Sequence, residues 1–201
     1  MPLRSGARSS AVSMSSDVGD SQAALVATLR EAFGRVVYSH KTHEKAREIE
    51  AKRVVEVKWA NIILTTLTSA SLLGTVITNA RASLYVSSAL AAVTLAFVVF
   101  QLSFDPQGGA ERHRVAANQL WYVREQYINL LTDLRDGMSS QEGRQRRDAL
   151  GERLKDVYEH APGTSSRAYR AAQRALKIKE EMTFSDAEID QFLPKELHGA
   201  G

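Results

Sequence analysis

The sequence predicts an all-α protein: a two-helix transmembrane hairpin flanked by cytoplasmic helices that form a bundle. Lys58 and Arg81 bracket 22 positions without a charged side chain, and Arg81 and Asp105 bracket another 23. Outside these runs, apolar residues recur at helical spacing, and no stretch shows the alternation of a strand.

Residues 1–20, "MPLRSGARSSAVSMSSDVGD", are rich in Ser and Gly and lack an apolar run. They offer too little apolar surface to offset ordering entropy, so they read as a disordered leader. No 7–15-residue apolar region marks a secretory signal. Ser21 is placed to cap a helix whose Leu25, Leu29, Ala32, Phe33, Val36 and Val37 share a face. That helix, 21–58, has no proline and leads straight into the first apolar run.

At 1.5 Å per residue, ~20 residues reach across the ~30 Å hydrocarbon core of a bilayer. The runs read as antiparallel spans, about 59–78 and 84–102, within a hairpin at 59–103 whose turn is "NARAS". A soluble core hairpin would need wrapping on all sides, and the remaining helices are too few and too charged to supply it. The 18 positions before the first span carry six basic residues, and the turn carries only Arg81. Basic residues stay inside, so both termini are expected in the cytoplasm and the protein in the inner membrane. Trp59 and Tyr85 suit the two interfaces.

The first span is rich in hydroxyls. Asn61, Thr65, Thr68, Ser71, Thr75 and Thr78 fall on one stripe at about 3.5 residues per turn. Two readings stand. The stripe bonds across to another helix within a packed hairpin. Or the small faces, Ala70 and Gly74 against Ser88, Ala92 and Ala96, zip the hairpin and leave the hydroxyls to line a pore in a ring of copies. A neutral lining of that kind passes small ions with little selectivity.

After the second span, Pro106 and two glycines mark a break. The 110–197 region then gives an amphipathic helix with Ala117, Leu120, Tyr127, Leu131 and Leu134 on one face, closed at Gly137. A helix at about 141–160 follows, with Leu150, Leu154, Val157 and Tyr158. Another lies at about 165–182, and a short one is started by the Ser185–Glu188 capping box.

Candidate chemistry is sparse. Cysteine is absent, which excludes disulfides, thiolate metal sites and a Cys nucleophile. Residues 1–58 hold 10 basic and 7 acidic side chains, and residues 110–201 hold 15 of each, so no block suggests nucleic acid. No phosphate loop or nucleophile motif is present, and the sequence predicts neither an enzyme nor a cofactor. His40, His43 and Glu44 sit within one turn, but without a third-ligand context they read as a solvated face rather than a metal site. Arg167, Arg170, Arg174 and Lys177 line one helix face, which reads either as solvent-facing or as a surface for an anionic ligand or lipid headgroups.

Four stretches, in this order around the hairpin, resemble the SLATT family of two-transmembrane effectors. They are "YSHKTHEKA" (38–46), the short-turn hairpin, "LWYVREQYINLLTDL" (120–134) and "MTFSDAEIDQFLPKEL" (182–197). The resemblance implies a membrane effector of CBASS-like anti-phage defence that oligomerises and permeabilises the membrane. Its partners would then be the lipid bilayer, further copies of itself, and a cyclic or other nucleotide messenger or a nucleotide-sensing protein. The alternative is a passive membrane anchor that presents a helical platform to a partner protein.

Overall fold

The computed structural model describes residues 6–78, 81–195 and 198, with side chains described there except at 6–18, 78 and 102. Its helices are α1 (Gly6–Thr78), α2 (Arg81–Ser103), α3 (Pro106–Arg135), α4 (Ser140–His160), α5 (Ser166–Lys177) and α6 (Asp186–Asp190), and there is no strand among the described residues.

The 73 residues of α1 form one helix, about 110 Å long at 1.5 Å per residue. No proline lies between Pro2 and Pro106 to interrupt it. Once nucleated, a helix gains one hydrogen bond per added residue, so it extends through Ser- and Ala-rich sequence. Ser21 is therefore inside the helix and not its cap. Its hydroxyl accepts a hydrogen bond from Arg144 on α4 instead.

Over residues 19–77, where side chains are described, one face of α1 is turned inward. In the bundle it presents Leu25, Leu29, Ala32 and Val36, then His40, His43 and Ala46. Nearer the turn it presents Asn61, Leu64, Thr68, Ser71 and Thr75. The partner along this face is α2 followed by α3. Gln22 reaches the Leu134 carbonyl, His40 that of Ala117, His43 meets His113, and Ser71 meets Ser87. Each step along α1 is matched by an almost equal step back along its partner, so one antiparallel register runs from bundle to hairpin.

The break between α2 and α3 is narrow, because only Phe104 and Asp105 leave the helix. Pro106 sits in the first turn of α3, where its missing N–H costs nothing. Asp105 caps α3, accepting from the Gly108 N–H at 2.8 Å. A Cβ at Gly108 would lie 1.9 Å from the Asp105 carboxylate, so a larger residue there would require the Asp105 side chain to shift. Gly137, at φ 110, provides the left-handed turn after α3.

The core joins the α1 face to Leu120, Val123, Tyr127, Leu130 and Leu134 of α3 and to Leu150 and Val157 of α4. Leu131 and Leu154 pack at its margin, while Tyr158 is exposed. α5 lies on α1 through Ala168, Ala172 and Ala175, all buried. It ends at Lys177, short of the expected 182, and α6 begins with the Ser185–Glu188 capping box.

Candidate functional site

Three features of the described residues are arranged for more than packing: the hydroxyl seam of the hairpin, a buried polar clasp on α1, and the basic face of α5.

In the seam, Thr68 Oγ1 lies 2.8 Å from Thr94 Oγ1, and the Ser87 hydroxyl is 2.6 Å from Ser71 and 2.9 Å from Thr75. Thr75 donates to the Ser71 carbonyl, and since each hydroxyl has one proton, one of Thr68 and Thr94 donates to the carbonyl four residues back while the other donates across the pair. Ser87 is 2% exposed. Within the single chain these hydroxyls face across from α1 to α2.

The small-residue assignment is corrected with it. Ala70, Ser88, Ala92 and Ala96 lie on the outer surface, and of that set only Gly74 is half-buried. Thr65 is also exposed, whereas Leu64 takes its place in the seam. Asn61 is half-buried, and the Thr78 side chain lies outside the described residues. The inward spacing alternates threes and fours, and Thr65 is one position off that rhythm. The rest of the hairpin surface is bare and largely apolar, with Thr65, Thr66, Ser69 and Ser88 among the exposed hydroxyls: Ile77 is 82% exposed, Val76 78% and Leu95 66%. Both helices are long and apolar enough to cross a bilayer, and the most hydropathic window of α1 has none of its residues buried. A core helix of a soluble protein would be mostly buried, and a bare apolar surface of this size calls for a cover such as lipid.

The clasp replaces the solvated face expected at "HKTHE". His40, Lys41, Thr42 and His43 are all buried. His40 Nδ1 lies 2.9 Å from the Ala117 carbonyl, which can only accept, so Nδ1 carries the proton. His43 Nδ1 and His113 Nδ1 are 2.9 Å apart, which requires one to donate and the other to be bare. Burial, with His113 and His40 close by, lowers the His43 pKa to about 4. Burial also lowers His113, against the attraction of Glu50.

Lys41 Nζ bridges Glu44 and Glu181, each at 2.8 Å, and Lys45 adds a 3.2 Å contact to Glu181. Burial pulls the Lys41 ammonium down, but hydrogen bonds to Glu181 and Glu44 outweigh it and leave its pKa raised. The hydrogen bond from Lys41 holds Glu181 below the usual carboxylate range. His43 turns to His113 while His40 Nε2 lies 3.6 Å from Glu44, and no group of three ligating side chains is placed to hold a metal among the described residues.

Sequence reasoning missed this clasp because its partners are distant. His113 is 70 positions from His43, and Glu181 is 136 from Lys45. The only local hint was the density of polar residues on the inward face of α1.

Arg167, Arg170, Arg174 and Lys177 are all exposed on α5. Arg170, Arg174 and Lys177 line a shallow concavity with Gln173 and Ile178, while Arg167 lies outside it.

One long helix is shared between a polar-clasped bundle and an apolar hairpin whose two helices are long enough to cross a membrane, which suggests a membrane protein. The family model of the SMODS and SLOG-associating 2TM effector domain, family 4, matches residues 25–188, more than half of the chain. The chain belongs to that family and is a membrane effector of the kind associated with nucleotide-signalling defence. Comparison with curated proteins and with solved structures gave no match.

Proposed function

We propose that the protein is a CBASS-like effector: its hairpin spans the inner membrane, both termini are cytoplasmic, and activation drives copies to assemble and permeabilise the bilayer. One observation carries the reading: α1 passes without interruption from the bundle core into the first span. A signal that rotates or shifts its cytoplasmic half therefore moves the seam residues directly.

The resting hairpin satisfies its hydroxyls internally. Opening would exchange Thr68–Thr94 and Ser71–Ser87 pairs for contacts with water or with another copy. The cost is modest, since hydroxyl pairs between membrane helices contribute about 0.6 kcal/mol each. The outer small residues, Ser88, Ala92 and Ala96, allow close approach of a second helix during assembly.

Overproduction in a bacterial host tests the function, because mass action can stand in for the signal. Membrane potential should collapse above a threshold of expression, whereas a passive anchor would leave it intact at every level. The cysteine-free chain also permits a unique lock, Thr68→Cys with Thr94→Cys. Oxidation should block depolarisation and reduction should restore it. Depolarisation that ignores the lock would mean that the seam stays closed and the pore forms elsewhere.

A further inference from the structure

α5, "SRAYRAAQRALK", carries three arginines and a lysine and no acid. Its inner face is alanine, so it lies close on α1 and all its charge faces outward. Several other arginines of the bundle are ion-paired, Arg35 with Glu31, Arg53 with Glu50, Arg114 with Glu111, and Arg146 with both Asp133 and Glu142, whereas Arg144 bonds Ser21 and Arg153 stacks on Tyr122. Among the described residues, Arg170, Arg174 and Lys177 have no such ion pair. The nearby Glu181 is drawn away to Lys41 and Lys45 on α1.

The helix dipole accounts for part of this charge. Cations are favoured in the last turn of a helix, where Arg174 and Lys177 stand. Arg170 lies seven residues before the end, beyond that reach. The three cations also converge on one concavity of about 390 Å³, with Gln173 as a polar neighbour and Ile178, 74% exposed, as an apolar one. From Arg170 to Lys177 the helix rises about 10 Å, which accommodates more than one anionic group. Guanidinium forks match phosphate oxygens in pairs, and a lysine adds a point charge.

We infer that this concavity binds an organic ligand bearing two or more phosphate groups, with its apolar part against Ile178. The site deepens the proposed function by naming the ligand class of the signal, and it rests on the bundle being the receiving part. Its position favours a soluble ligand over a lipid headgroup. α5 and the turn after it are fixed to α1 at the level of residues 38–45, by Tyr169 against Tyr38 and Glu181 against Lys45. From Lys45 to Lys58 is thirteen residues, so the site stands about 20 Å from the membrane edge. The turn that follows the site is the one Glu181 ties to α1, so occupancy is placed to act on the long helix.

Calorimetric titration of the full-length protein in phosphatidylcholine nanodiscs tests this, with ADP, pyrophosphate and inorganic phosphate as probes. ADP and pyrophosphate should bind, with inorganic phosphate at least about tenfold weaker. Arg170→Gln with Arg174→Gln should weaken ADP by about tenfold or more, and Arg167→Gln should leave it unchanged. Absence of ADP and pyrophosphate binding, or equal binding by the double variant, overturns the site. Replacing a third of the lipid with phosphatidylglycerol should not alter ADP affinity, because ~20 Å exceeds the Debye length of about 8 Å. Loss of ADP binding there would instead assign the site to lipid headgroups and overturn the soluble source. None of these readouts involves leakage, so failure of the site and failure of the permeabilisation reading are separable.

Discussion

Lys41 on α1 and Glu181, four residues beyond the end of α5, form a 2.8 Å ion pair in which the lysine is 7% exposed. The turn carrying Glu181 is strained: Glu180 at φ 52 and Met182 at φ 84 are left-handed without being glycine. Such residues cost about 1–2 kcal/mol each and persist only where their surroundings hold them. The ion pair and the Glu181 N–H bond to the Ala175 carbonyl provide that hold.

Glu181→Gln should therefore release the turn. Amide exchange at 178–183 is expected to accelerate, with a loss of about 1–2 kcal/mol in bundle stability. Unchanged exchange would show that the backbone contacts suffice. Because the Glu181 carboxyl is held below its usual range, this contribution is present at neutral pH and is lost as pH falls through that lowered value.

The His43–His113 contact gives a second pH dependence. A proton added to the accepting ring leaves two N–H groups facing each other, and burial opposes the charge on either ring. His43 titrates near 6.5 when unfolded and near 4 when folded, so the unfolded state binds more protons between these values. Stability is complete above about pH 6.5 and falls by up to about 3 kcal/mol toward pH 4. Denaturant melts across that range should show the slope, and His43→Leu with His113→Leu should flatten it. A wild-type profile that is already flat contradicts the assignment.

Neighbouring serines in α2 should respond oppositely. Ser87 is buried against Ser71 and Thr75, whereas Ser88 faces outward. Ser87→Leu forces bulk into the seam, at a cost of about 1–3 kcal/mol. Ser88→Leu only adds apolar surface toward lipid and should leave the hairpin as stable. Thermal unfolding in detergent distinguishes them, and equal effects would contradict this facing.

Gly143 marks the closest approach of α4 to its neighbours. A Cβ there would meet Leu134 Cδ2 at 2.8 Å and Leu25 Cδ2 at 2.9 Å. Alanine gains up to about 1 kcal/mol of helix propensity, and the leucine ends can yield slightly, so Gly143→Ala should be near neutral. Gly143→Val has no such room and should lower stability by about 1–3 kcal/mol, measurable by chemical denaturation.

What the sequence made legible was local. The charge-free runs, the α3 face from Ala117 to Leu134, the Gly137 stop and the Ser185–Glu188 box each depend on residues within a few turns. Facing was not legible in the same way. Periodicity grouped the hydroxyls into a stripe, but only Ser87 and Thr94 on the other helix decide that this stripe turns inward and the alanines outward. The Ser21 cap signal was overridden because nothing upstream stops the helix. The clasp needed His113 and Glu181, brought in by the antiparallel register and by the turn after α5.

The central claim is that the exposed apolar lengths of α1 and α2 cross the membrane and return. Arg81→Cys in the hairpin turn and Ser165→Cys in the bundle, each the sole cysteine of its chain, test it with a membrane-impermeant maleimide on inner-membrane spheroplasts. Arg81→Cys should label on intact spheroplasts and Ser165→Cys only after lysis. Protein that remains in the supernatant without detergent, or an Arg81→Cys shielded until lysis, would contradict it.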